Sequence, residues 1–275
     1  SDQDFNGKPI KVRFLWMPKG DDAAQWEQAF SADGGQTWET NWVMQFTRTH
    51  RPVIELRQYT LHPGKRDVLI DIFEKNCLES QEKCCMFLPG MFRDMDRPDR
   101  FVWLREFADM DARGKALPAF YYGSVWQAHR GEANPTMVDS DNVLLLKPAW
   151  SGADFPRYLE RAPVGTTGTA KGMVIAAIHY FGASVPDGFV TAWSEAMPSR
   201  IAAAGGKFLS ACVTEAAENN FPRLPIREGE HVFISFTLFD GTNAKPVALL
   251  PELAQRVKAT ETLRLIPTAR SRIHA

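Results

Sequence analysis

The sequence predicts an α+β protein built from two tandem ferredoxin-like units. Residues 52–148 and 173–267 pass through the same order of elements, strand, helix, two strands, helix, strand. Both stretches open on apolar strands, Val53–Tyr59 and Val174–Tyr180, and close on Val143–Pro148 and Leu263–Pro267. One such unit leaves a sheet face bare, and a second unit in the same chain can cover it. At 275 residues, 44% of them hydrophobic, the chain can bury a sizeable core.

Residues 1–50 precede the repeats as a three-stranded antiparallel β segment. Ile10–Trp16, Ala24–Phe30 and Trp38–Thr47 are rich in aromatic and β-branched residues and read as strands. Ser31-Ala-Asp-Gly-Gly-Gln-Thr-Trp38 fits the Asp-box hairpin pattern. Asp33 can accept from turn amides, the glycines reach positive φ, and Trp38 covers the turn. Asp boxes occur in sialidases, but one copy is a folding device. Phe14, Trp16, Trp26, Trp38 and Trp42 call for cover from the barrel, from upstream sequence or from a second copy. A homo-oligomer through this segment is therefore one expectation. His50-Arg-Pro52 reads as a linker.

The first unit is placed at residues 51–150. Its first helix spans roughly 65–82, with Val68, Ile72, Phe73 and Cys77 at sheet-facing spacing. Met91–Met95 and Phe101–Phe107 read as a hairpin around Arg97-Pro-Asp99. Helix and loop follow over 108–130, with a break at Pro118. Residues 151–170, rich in Gly, Pro and Thr, form the connection. The second unit, 171–275, has a helix over Asp187–Ala203, stopped by Gly205-Gly206 through a left-handed cap. Strands Phe208–Ala216 and Val232–Phe239 flank a long loop, Asn219–Glu230. Pro246–Lys258 supplies the last helix.

Composition narrows the function. The net charge is −1 and basic residues are interspersed with acids, so no nucleic-acid partner is expected. No apolar run approaches the roughly 20 residues that cross a bilayer, so no membrane partner is expected either. The chain begins with Ser1, so a leader removed upstream stays open. Cys77, Cys84, Cys85 and Cys212 lack a zinc pattern and read as reduced thiols of a cytoplasmic protein.

Ile54-Glu-Leu-Arg-Gln-Tyr-Thr-Leu-His-Pro-Gly-Lys65 resembles the opening of NIPSNAP-family domains. Val125-Trp-Gln-Ala-His-Arg130, Ala133-Asn134 and Asp139-Ser-Asp-Asn-Val-Leu-Leu-Leu146 are similar to the same family. The second unit keeps the order but has Ala176-Ala-Ile178 in place of Glu-Leu-Arg. The resemblance implies a dimeric α+β barrel, here within one chain, with two sheets face to face. Relatives of that fold include cofactor-free monooxygenases, haem enzymes and proteins of unknown role. Phe30–Arg48 also resembles the final strands of a bacterial lipocalin-like domain family.

Alternation along the strands sorts the candidates. Ile54 and Leu56 share one face, Glu55, Arg57 and Tyr59 the other. Val102 and Leu104 alternate with Trp103 and Arg105. The aliphatic faces are expected to meet the helices, and the mixed faces to line the space between the sheets. Arg57 and Arg105 are then either salt-bridged in the core or presented to an anionic or carbonyl ligand. Tyr121-Tyr122, Trp126, His129 and Arg130 follow. Trp126 and Arg130 share a helical face that can close a cavity mouth, and His129 can do acid–base work there. The expected ligand residues are Arg57, Tyr59, Trp103, Arg105, Trp126 and Tyr180, with His129 and Tyr59 as catalytic candidates. His179 reads as a core histidine turned toward a helix.

No metal and no cofactor are expected. A haem enzyme would need a histidine facing the cavity. The residues point to binding of a small, partly aromatic or carbonyl or anionic molecule, with metal-free oxygenase- or isomerase-like chemistry. The alternative is a ligand-binding or interaction module without chemistry.

Overall fold

A computed structural model describes residues 2–5, 7–19, 23–47, 52–157 and 159–275. Arg48 and the linker residues His50 and Arg51 lie outside them. The chain divides into two compact units, Ser1–His50 and Arg51–Ala275.

The first unit is an antiparallel sheet in the order β1-β2-β3-β4. It comprises β1 (Asp2–Phe5), β2 (Lys8–Pro18), β3 (Ala23–Ser31) and β4 (Glu39–Thr47). The three expected strands are present, and the short β1 adds to their edge. The Asp box closes the β3–β4 turn. Asp33 accepts from the Gln36 and Thr37 amides and the Thr37 hydroxyl, which hold its carboxyl below the usual range. Gly34 and Gly35 take φ of 76° and 102°. Pairing of Trp16 with Trp26 and of Gln28 with Trp42 puts Phe14, Trp16, Trp26, Trp42 and Phe46 on one face. Their rings pack on one another. Phe14, Trp16, Trp42 and Phe46 remain exposed. Trp38 sits apart, beneath the Arg13 guanidinium.

The second unit is mixed α+β. Its order is β5 (Val53–Leu61), α1 (Arg66–Ile72), a π turn (Phe73–Cys77), α2 (Leu78–Lys83), β6 (Met91–Asp94), β7 (Arg100–Phe107), α3 (Met110–Tyr121), α4 (Ser124–Ala133), β8 (Met137–Asp139) and β9 (Val143–Pro148). Then come β10 (Met173–Tyr180), α5 (Asp187–Ala203), β11 (Gly206–Thr214), β12 (Val232–Phe239), α6 (Pro251–Ala254) and β13 (Ala259–Pro267). The strands pair as β9-β5-β7-β6 in the first half and β13-β10-β12-β11 in the second. Two further antiparallel ladders, β6–β13 and β9–β11, join the halves. The result is a closed ring of β5, β7, β6, β13, β10, β12, β11 and β9, with β8 alongside β5. The sheets of the two halves, expected to face each other, are thus joined edge to edge in one continuous ladder.

The ring's interior is apolar. Ile54, Leu56, Val102, Leu104, Leu144, Val174, Ile178, Ile234 and Leu265 belong to one buried cluster fed by strands of both halves. Alternation sorted the faces of β5 and β7 correctly, but the assignment of those faces reverses. Ile54, Leu56, Val102 and Leu104 fill the ring, and Tyr59 and Trp103 pack against the helices.

Other elements shift in smaller ways. Val68 is exposed, while Leu69, Ile70, Phe73 and Cys77 turn inward. The break between α3 and α4 falls at Tyr122–Gly123, and Pro118 lies inside α3, near its end. The last helix is a single turn, because Pro251 starts it and Val247, Leu249 and Leu250 pack against the α5 cluster from the preceding segment. Gly205, at φ 78°, ends α5 as expected.

His179 lies on the helix side of β10, stacked on Phe233 and bonded through Nδ1 to Thr260 Oγ1 at 2.9 Å. Burial pushes its pKa from 6.5 down to about 4. The unfolded chain takes up that proton first as pH falls, so this stabilisation is complete above pH 6.5 and is lost toward pH 4. The shift is worth on the order of 3 kcal/mol. The melting temperature of His179→Phe should therefore fall less than that of the wild-type chain between pH 6.5 and pH 4. Equal losses would count against this account.

Candidate ligand site

The site starts from one carboxylate. Glu55 on β5 is fully buried and faces three arginines whose side chains are also fully buried. Arg57 Nη1 donates to Glu55 Oε2 at 2.7 Å. Arg105 donates to the same oxygen through Nε at 3.0 Å and Nη2 at 2.5 Å. Arg113 Nε donates to Oε1 at 2.8 Å. Burial alone pushes the Glu55 carboxyl up, but the three guanidiniums outweigh it and hold it well below the carboxylate range. Burial, together with the other two cations, pulls Arg113 below its ordinary value. Three guanidiniums against one carboxylate leave the cluster with a formal charge of +2.

Neutral groups accept from other donors of the three guanidiniums. Arg57 Nε donates to Tyr59 Oη at 3.0 Å. Arg105 Nη1 donates to Gln81 Oε1 at 3.1 Å and Tyr121 Oη at 3.4 Å. Arg113 Nη1 donates to the side-chain oxygens of Asn219 and Asn220, which come from the β11–β12 loop in the other half of the ring. Gly114 permits that approach, since a Cβ there would lie 2.9 Å from Asn220 Nδ2. Trp103 is flanked by two cations, with Arg57 and Arg105 5.5 and 5.1 Å from its ring centre.

Beside this cluster, between the sheet and the helices, lies a cavity of about 90 Å³. Tyr59, Phe73, Trp103, Phe120, Tyr121 and Trp126 form its aromatic wall. The π turn inserts one extra residue per turn and puts both Phe73 and Cys77 on that wall. Burial holds the Tyr59 hydroxyl at about 12 and the Cys77 thiol at about 11, so both stay protonated near neutral pH. Trp103 Nε1 and Arg113 Nη2 are buried and have no hydrogen-bond partner among the described residues.

The structure thus brings Arg57, Tyr59, Trp103, Arg105 and Trp126 together, on the helix side of the sheet and not between sheets. His129 is not among the residues lining this cavity or the adjoining outer pocket, whereas Trp126 lines both and Arg130 the outer one. Tyr180 lies elsewhere, at one rim of the ring, where its hydroxyl accepts from Arg227 and donates to Glu261. Arg113, Gln81 and the Asn219–Asn220 pair were missed. Arg113 had a signal: with Ala116, Leu117 and Phe120 it stands at i, i+3, i+4 and i+7 in the apolar stripe of α3. A larger groove of about 860 Å³, near Trp150, Val185, Glu215 and His231, contains none of the expected site residues.

This geometry defines an α+β barrel with a buried arginine cluster beside an aromatic cavity. Residues 54–152, which carry the carboxylate, all three arginines and most of the cavity wall, match the NIPSNAP family model. Among solved structures, a NIPSNAP family protein of unknown function from Agrobacterium tumefaciens is 20% identical. It covers 37% of this chain and 91% of its own, with a TM-score of 0.34. Two proposed monooxygenases, from Lactobacillus acidophilus and Fusobacterium nucleatum, each cover 80% of this chain. They cover 97% and 93% of their own lengths, at 16% and 8% identity and TM-scores of 0.48 and 0.49. No curated protein matches the chain. No helix among the described residues is long and apolar enough to cross a membrane.

Removing one partner of a buried ion cluster costs about 3–5 kcal/mol when it strands the others. Glu55→Gln strands three cations, whereas Arg57→Met leaves Glu55 paired twice. Chemical denaturation should find Glu55→Gln the less stable by several kcal/mol; the reverse order would refute this charge balance.

Proposed function

We propose that the cavity between the sheet and α1–α4 binds a small aromatic molecule carrying a carbonyl or anionic oxygen. The observation that carries this reading is the formal +2 charge of the buried cluster beside an aromatic wall. An anion there would gain charge that Glu55 alone does not supply. Tyr59 and Tyr121 each accept from a guanidinium, which leaves their own O–H protons free to donate. Two phenols polarised in this way can hold a ligand oxygen as charge builds on it.

The same arrangement bears on catalysis. The cavity's lining residues include no carboxylate and no histidine, and Tyr59 and Cys77 stay protonated near neutral pH. They can stabilise an enolate or phenolate, but they lack a group suited to creating one. Oxygenase- or isomerase-like chemistry would then act on a substrate that is already ionised or easily ionised. The second reading, binding without chemistry, draws on the same lack of a base. We also read the two halves as tandem ferredoxin-like units closing an intrachain barrel, on the strength of their shared strand order.

Benzoate is a suitable probe, and tryptophan fluorescence reports on Trp103 and Trp126. Benzoate should bind the wild-type chain, and Arg57→Met, which removes one cation of the cluster and the guanidinium that polarises Tyr59, should weaken it by about 1 kcal/mol, the net worth of one hydrogen bond. Benzamide should bind more weakly than benzoate to the wild type, and by a smaller margin to the variant. A lower melting temperature with unchanged benzoate affinity would make Arg57 purely structural and overturn the proposal.

A further inference from the structure

The inner cavity does not stand alone. Tyr121, Trp126, Asn134 and Leu224 line it and also line an outer pocket of about 500 Å³. These four residues border both chambers, which therefore adjoin. The outer chamber adds Tyr122, Gln127, Arg130, Phe221 and Arg223. Its lining holds two arginines and no acid.

Arg223 is held in place. Its Nη1 donates to Tyr122 Oη at 3.2 Å, and its guanidinium lies 5.4 Å from the Tyr122 ring centre. The loop carrying it is anchored by the residues before it and by the bond from Asn219 Nδ2 to the Leu224 carbonyl. Phe221 stacks on Tyr121 at 6.0 Å, and Asn219 and Asn220 accept from Arg113. Arg130 stands one turn beyond Trp126 on α4, at i+4. Positive charge therefore continues from the buried cluster past these shared residues to the outer rim, a field that favours anions.

The volumes set the ligand's shape. An engineered cavity on the order of 150 Å³ holds benzene, so the inner chamber of about 90 Å³ takes at most one ring with slight adjustment of its wall. A ligand of any greater length must continue into the outer chamber.

We infer that the outer chamber is a second anion subsite for the same ligand, which is an elongated dianion. Its ring and first anionic oxygen lie inside, and a distal carboxylate, sulfonate or phosphate is held by Arg130 and Arg223. This rests on the binding function proposed above and adds the substrate class.

The test uses benzoate, 4-(3-carboxypropyl)benzoate and the distal amide of the latter, which has nearly the same shape without the second charge. Affinities are measured by tryptophan fluorescence for the full chain and for Arg130→Gln/Arg223→Gln. In the wild-type chain the diacid should bind about tenfold tighter than its amide, as expected for two exposed charge contacts acting together. In the double variant that ratio should fall to about one. If diacid and amide bind the wild type equally while benzoate binds, the outer subsite is refuted and the inner site stands. A tenfold ratio that persists in the double variant refutes the assignment to these arginines. If none of the three binds, both readings fall.

Discussion

The structure around the site depends on how Glu55 is neutralised. A carboxylate with no exposure is tolerable only if cations reach it, and here they arrive from three directions. Arg57 comes from its own strand, Arg105 from the neighbouring strand and Arg113 from a helix. The third contact fixes α3 over the sheet and so sets where Phe120 and Tyr121 stand. Arg113 also reaches across to Asn219 and Asn220, placing the loop that carries Phe221, Arg223 and Leu224. One buried charge thus organises two strands, a helix and a distant loop into a single wall.

Among the described residues, the first half alone carries this device. On the helix-facing side of β10, Ile175, Ala177 and His179 stand where β5 has Glu55, Arg57 and Tyr59, one residue away from the match of Ala176-Ala-Ile178 to Glu-Leu-Arg read from the sequence. There the helix-side space is filled by Trp193, Met197, Ile201 and Phe233 as an ordinary core. A ring with near-twofold strand order therefore has a one-sided distribution of charge. Among the described residues, the second half contributes to the site through the β11–β12 loop.

Much of this was legible in the sequence. The order of elements, the length of α5 and the pairing of Arg57, Tyr59, Trp103 and Arg105 on one face follow from periodicity. Which face meets the helices does not. Period-two alternation shows that two faces differ, and it is silent on what covers each. In a closed ring the inward side chains from all eight strands crowd together, and only apolar groups pack there without partners. The charged face had to turn outward, where helices supply Gln81, Arg113 and Tyr121. His129 and Tyr180 lie off this cavity for a related reason. Their residue type suited a site, but helix phase and strand end put them elsewhere.

Closure of the ladder has a mechanical consequence. An open sheet can peel from an edge, one strand at a time. A ring of eight strands has no such starting point, because parting any one ladder leaves every strand still held on its other side. Amide hydrogens of the ring should therefore exchange with solvent chiefly through concerted opening, as one late-exchanging class. Those of β8, paired only with the end of β5, and of the edge strands β1 and β4 in the four-stranded sheet should exchange far earlier.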